Sequence, residues 1–164
     1  MSTETPLTEA SWLAERLLSH GWRVATAESC TGGLIAATCT ELSGSSQWFE
    51  RGFVTYSNEA KTELLGVPAA LIAEHGAVSQ AVAQAMAVGA LTHSHADIAV
   101  AVTGVAGPTG GTPDKPVGTV WLAWAQRSGV VHAECLHLSG DRAAIRQATV
   151  AHALAGVRLR ATPL

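Results

Sequence analysis

The stretch DIAVAVTG, Asp97 to Gly104, constrains the fold more than any other part of the chain. After its first residues it is apolar almost without interruption, and a strand of that kind must be covered on both faces. It therefore requires a sheet with helices above and below. Segments with helical periodicity lie on either side of it in the sequence.

Towards the amino terminus, Thr8 is placed to cap a first helix, with Leu7 and Trp12 as a hydrophobic staple and Gly21 as its stop. WRVATAES reads as a short strand that runs into a helix, CTGGLIAATCTEL. FERGFVTYS reads as a second strand, followed by NEAKTELLG, a short helix ended by Gly66. A further helical turn follows Val67-Pro68. Ser79 then caps a long helix, QAVAQAMAVGALTHSHA, whose Val82, Met86 and Gly89 share one face. After Asp97–Gly104, VGTVWLAWAQ and VVHAECLHL form a hairpin around RSG, with Gly129 in the turn. Asp141 opens a last helix that runs to the region of Arg160. Helices alternating with strands early and a hairpin late predict an α/β fold, a mixed sheet covered on both sides by helices. With 164 residues, no repeat and no linker, one domain over 1–164 is expected.

Composition narrows the functional classes. Only 14% of residues are charged and 48% are hydrophobic, which argues for a compact globule and against disorder. The net charge of −3, with no basic run, offers no footprint for nucleic acid. The opening MSTETPLTEA is polar and acidic, unlike a secretory signal. No apolar run approaches the roughly 20 residues that cross a bilayer. Cys30, Cys39 and Cys135 are odd in number and form no Cys-x-x-Cys pair, which fits reduced thiols in the cytoplasm. An exposed apolar face rich in Trp and Ala would suit a homo-oligomer, although the sequence does not locate one.

Two segments carry candidate chemistry. The loop TGVAGPTGGTPDKPVGT, Thr103 to Thr119, leaves the carboxyl end of the buried strand, a favoured position for a ligand site, yet it reads equally well as a surface loop. It matches neither the phosphate-loop nor the Gly-x-Gly-x-x-Gly pattern. The other segment is TAESCTGG, Thr26 to Gly33. If the strand ends near Ser29 and the helix begins near Thr31, Ser29 stands at a strand-to-helix elbow. The helix-start amides around Thr31, Gly32 and Gly33 would then be free to stabilise an oxyanion beside a nucleophile. Ser29 or Thr31 acting only as a helix cap is the plainer alternative.

A serine nucleophile needs a base. His93 and His95 fall on different faces of a helix, His132 and His137 on opposite sides of a strand, and no His-Glu-x-x-His occurs, so neither a histidine base nor a metal site is indicated. Of the two lysines, Lys61 lies in the helix after the second strand, with Tyr56 five residues earlier. Desolvation there would lower its pKa so that the neutral amine could take a proton. A solvated lysine paired with Glu59 or Glu63 is the alternative. The hydroxyls of Ser43 to Ser46 suit an anion or a plain turn. Arg142 and Arg146, one helical turn apart, would welcome an anion between them.

In order along the chain, AESCTGG, SGSS, VTYSNEAKTELLGV, GAVSQAVAQAMAVGA, TGVAGPTGG, KPVGTVWLA and SGDRAAIR resemble the CinA carboxyl-terminal domain family. The resemblance covers the region from Val24 to Arg146. It implies a three-layer α/β/α sandwich, no metal and no cofactor. It also implies deamidation of nicotinamide mononucleotide to nicotinate mononucleotide and ammonia, in bacterial pyridine-nucleotide salvage, by a Ser–Lys mechanism. Position by position, the nucleophile falls on Ser29 and the base on Lys61, with Tyr56 assisting proton transfer or orienting the lysine. Thr103 and Gly104 would line the pocket, and Ser45, Ser46 and Arg142 would face the phosphate. For the cationic ring of the implied substrate, Trp48, Phe49, Trp121 or Trp124 would be stacking partners, with core or interface packing as the alternative. Two departures stand out: Ser43 replaces a usual proline, and Arg51-Gly52 a usual Gly-Gly, which bears on the pocket rim.

Two rivals remain at this level. Cys30 could be the nucleophile, activated at a helix start. Alternatively, the chain could be a nucleotide-binding regulatory module of the same family that no longer turns over.

Overall fold

The computed structural model describes residues 3–161. Five strands form one sheet: β1 (Val24–Glu28), β2 (Phe49–Val54), β3 (Ile98–Gly104), β4 (Thr119–Gln126) and β5 (Val131–His137). Their order is β2-β1-β3-β4-β5, with β2, β1 and β3 parallel and β4 and β5 antiparallel. Six helices accompany them: α1 (Pro6–His20), α2 (Leu34–Thr40), α3 (Asn58–Leu65), α4 (Ala69–His75), α5 (Gln80–Thr92) and α6 (Arg142–Arg160).

The expected three layers are present, and the alternation within the strands explains them. In β3, Ile98, Val100 and Val102 face α1, α2 and α6, whereas Ala99 and Ala101 face α5. Strand β4 repeats this, with Val120, Leu122 and Trp124 on the first side and Ala123 and Ala125 on the second. Large side chains thus fill one interface. On the other, alanines on the sheet meet an α5 that is itself rich in alanine, so that helix and sheet approach closely. Both faces are dry, as the apolar run requires.

Close approach also governs α6. A Cβ at Gly156 would overlap the indole of Trp124, a ring 1% exposed whose Nε1 donates to the Ala153 carbonyl. Alanine is preferred over glycine inside a helix by about 1 kcal/mol. Here the overlap dominates, and Gly156→Ala should cost about 1–3 kcal/mol of stability. Urea unfolding would register this as a lower midpoint at unchanged slope.

The start of the first helix departs from expectation. Its cap is Thr5, not Thr8: the Thr5 hydroxyl accepts from the Thr8 amide at 3.3 Å, and Pro6 occupies the first helical position. Proline there loses no hydrogen bond and presets the helical φ, so the helix begins three residues earlier. Gly21 ends it in a left-handed conformation, and Gly129 sits in the β4–β5 turn, both as read from the sequence.

Candidate active site

The carboxyl ends of the three parallel strands converge. Ser29 follows β1, Thr55 and Tyr56 follow β2, and Thr103 and Gly104 end β3. Strand β1 has a parallel neighbour on each side, with the connections leaving towards opposite faces, so the crevice at this end is a topological switch point. A cavity of about 370 Å³ opens there, with Ser29, Tyr56, Lys61, Thr103, Gly104 and Arg142 in its wall.

At its floor, Lys61 Nζ donates to Ser29 Oγ at 3.0 Å. Lys61 is 1% exposed, and its ammonium also donates to the carbonyls of Thr55 (2.9 Å) and Tyr56 (3.3 Å). Burial pushes the Lys61 pKa below the usual lysine value of 10.5. A neutral amine has two N–H donors and one lone pair. With the donors on the two nearer carbonyls, and the Ser57 carbonyl farther off at 3.5 Å, the lone pair is left for the Ser29 hydroxyl. The solvated lysine paired with Glu59 or Glu63 is not what the fold builds.

The elbow differs from the sequence reading in detail. Helix α2 begins at Leu34, not Thr31, because Gly32 (φ 57°) and Gly33 (φ 103°) are left-handed and hold the preceding turn out of the helix. Its first amides are not free. The carboxylate of Glu28, fully buried, accepts from the amides of Ile35 (2.8 Å) and Ala36 (3.1 Å) and from the Thr31 hydroxyl. Gly32 donates its amide to the Ser29 carbonyl at 3.1 Å. Thr31, Gly32 and Gly33 are absent from the cavity wall. The elbow amide that does belong to a wall residue is that of Cys30, directly after Ser29; among the described residues it has no backbone acceptor.

Other expected residues separate. Tyr56 is 63% exposed; its carbonyl, not its phenol, holds Lys61, and the phenol lies 3.5 Å from Arg142 Nη2. Arg142 also donates to the Gly107 carbonyl at 2.9 Å, tying the long loop to the rim. Thr103 donates its hydroxyl to the Ala77 carbonyl at 3.0 Å, and Gly104 is required because a Cβ would collide with Val120. Ser45 and Ser46 lie in a 3₁₀ turn that leads into Trp48, whose carbonyl accepts from Val24 at the start of β1. They therefore sit at the opposite end of the sheet from Ser29. Arg51 is also remote from the rim, since it pairs with Glu50 and donates to the His93 carbonyl at 3.0 Å. Neither Trp48, Phe49, Trp121 nor Trp124 reaches the cavity; Trp48 and Trp124 are core.

Several wall residues escaped the sequence reading: Asn58 at the start of α3, and Ala77 and Val78 between α4 and α5. Only the Ser79 cap next to them marked that turn, and alanine and valine carry no chemical signal.

The thiol of Cys30 does not suit the nucleophile's role: burial raises its pKa to about 11, so it stays protonated at neutral pH. Cys30→Ala should keep activity within about threefold of wild type, since it leaves the Cys30 backbone amide and the Ser29–Lys61 pair in place. Iodoacetamide treatment of wild type, followed by assay, checks the same point.

These features define an α/β protein with a buried serine–lysine pair at the carboxyl ends of parallel strands. The chain belongs to the CinA C-terminal domain family, whose model matches residues 7–160. It is similar to the nicotinamide-nucleotide amidohydrolase PncC of Escherichia coli strain K12, 52% identical over 144 residues, 87% of this chain and 86% of that protein. A relative from Symbiobacterium thermophilum, 55% identical over 150 residues, is longer: the match covers 87% of this chain and 35% of that protein. The crystal structure of the competence/damage inducible protein CihA from Agrobacterium tumefaciens has a TM-score of 0.91 at 45% identity, covering 96% of both chains. No helix among the described residues is long and apolar enough to cross a membrane.

Proposed function

We propose that the chain, acting as one domain, is a nicotinamide-nucleotide amidohydrolase that converts nicotinamide mononucleotide and water to nicotinate mononucleotide and ammonia. One observation carries this reading: the buried Lys61 amine, 3.0 Å from Ser29 Oγ in the cavity floor. The activity for which the Escherichia coli relative is named supports the substrate. The place in metabolism is pyridine-nucleotide salvage in the cytoplasm.

Ser29 Oγ attacks the carboxamide carbon as Lys61 Nζ takes its proton. The cationic pyridinium withdraws electrons and makes that carbon more electrophilic. The Cys30 amide receives the oxyanion, a narrower donor set than the whole helix start read from the sequence. The C–N bond then breaks, and Lys61 returns the proton to the leaving nitrogen, which departs as ammonia. A water molecule, deprotonated by Lys61, attacks the ester. Its cleavage restores Ser29 and releases the carboxylate. Arg142, with its charge at the rim, holds the phosphate and so positions the distant amide.

The test is ammonia release from nicotinamide mononucleotide with a chelator present, with nicotinate mononucleotide measured as the second product. Equal amounts of the two products support the proposal. Tight binding of the nucleotide with no ammonia released would instead make the chain a regulatory module.

A further inference from the structure

Arg146 is one helical turn beyond Arg142 but does not line the cavity. Its guanidinium is spent on the elbow: Nε donates to the Cys30 carbonyl at 3.2 Å and Nη2 to the Thr31 carbonyl at 3.1 Å. The two arginines are therefore engaged apart, Arg142 on the Gly107 carbonyl of the rim and Arg146 on the elbow.

Two planar peptide units connect Arg146 to the reacting centre. The Thr31 carbonyl, held by Nη2, shares its plane with the Gly32 amide, which points the opposite way. That amide donates to the Ser29 carbonyl at 3.1 Å. The Ser29 carbonyl shares its plane with the Cys30 amide, the oxyanion donor. Fixing the first carbonyl therefore fixes the direction of the last amide. The second prong, on the Cys30 carbonyl, closes the turn from the other side. A Cβ at Gly32 would stand 3.6 Å from Arg146 Nη2, an ordinary contact, so what the brace requires of this glycine is its left-handed backbone (φ 57°) and not space.

The geometry points to Arg146 as a positioning residue that aims the Cys30 amide at the oxyanion. This rests on the serine–lysine reading of the site. A two-pronged planar donor is needed, because two carbonyls of one turn must be held at once. Lysine offers a point charge and holds one of them.

The experiment compares Arg146→Gln and Arg146→Lys with wild type. Steady-state ammonia release is corrected for folded protein by thermal unfolding. In Arg146→Gln, kcat should fall about 10–100-fold, less than for outright loss of an oxyanion donor, while KM stays within about threefold. Arg146→Lys should recover part of kcat, and it carries the test alone if the glutamine variant does not fold. Labelling of Ser29 by diisopropyl fluorophosphate, followed by intact mass, should slow in parallel with kcat. A kcat per folded enzyme equal to wild type, or a rise in KM that accounts for the whole loss, would overturn the assignment. The labelling rate separates this idea from the proposed function. Wild type inert towards the nucleotide, with labelling still dependent on Arg146, would sink the function and keep the brace. Wild-type turnover unaffected by either substitution would do the reverse.

Discussion

Ser29→Ala should abolish ammonia release, with kcat at least about 10⁴-fold below wild type, because without its nucleophile the site keeps only binding and oxyanion stabilisation. The substitution removes one oxygen from a residue 9% exposed, at a strand end whose backbone is fixed by a bond from the Ser29 amide to the Val102 carbonyl at 3.1 Å. The fold should therefore survive, and nucleotide binding with it, since Arg142 and the loop at residues 105–110 are untouched. Calorimetry should find binding close to that of wild type. Retained binding without turnover is the signature of a lost nucleophile.

Lys61→Met should lower kcat by about 10³-fold, within the range expected for loss of a general acid–base group. It should also change the pH profile. Burial depresses the lysine pKa, so folded Lys61 gives up its proton below the ordinary value of 10.5. Only the neutral amine can accept the serine proton. Wild-type kcat/KM should therefore rise with pH and level off before that value, and the methionine variant should lack this rising limb. The same sign governs stability. Below the folded pKa the buried ammonium is a burden that the unfolded chain does not carry, so its contribution grows more favourable as pH rises towards 10.5. A profile unchanged in Lys61→Met would assign the titration to another group.

Much of the fold could be read from the chain because few arrangements satisfy a strand such as Ile98–Gly104. A strand dry on both faces needs three layers, and the Ala/Val alternation even separates the close α5 interface from the bulky one. The pairing of Ser29 with Lys61, 32 residues apart, followed from the elbow, the scarcity of lysines and the family resemblance. What escaped depended on direction rather than identity. Nothing local tells whether Tyr56 turns its ring or its carbonyl to Lys61. Helical spacing puts Arg142 and Arg146 on one face but does not say that one reaches the rim and the other the elbow. Ser45 and Ser46 have hydroxyls suited to an anion, yet the strand that follows delivers them to the wrong end of the sheet. Glu28 read as one more acidic residue in TAESCTGG. Buried, it occupies the first amides of the helix that actually forms, those of Ile35 and Ala36, and only the paired glycines behind it hinted that the helix begins late.

The most direct test is to find which atom becomes acylated. Wild-type enzyme would be mixed with nicotinamide mononucleotide, quenched in acid during the first turnover, digested and mapped by mass. The account predicts an ester-linked nicotinoyl nucleotide on the peptide containing Ser29, at Ser29 itself. An acyl group on Cys30 would contradict it. So would an unmodified Ser29 peptide when the initial burst of ammonia equals the enzyme present.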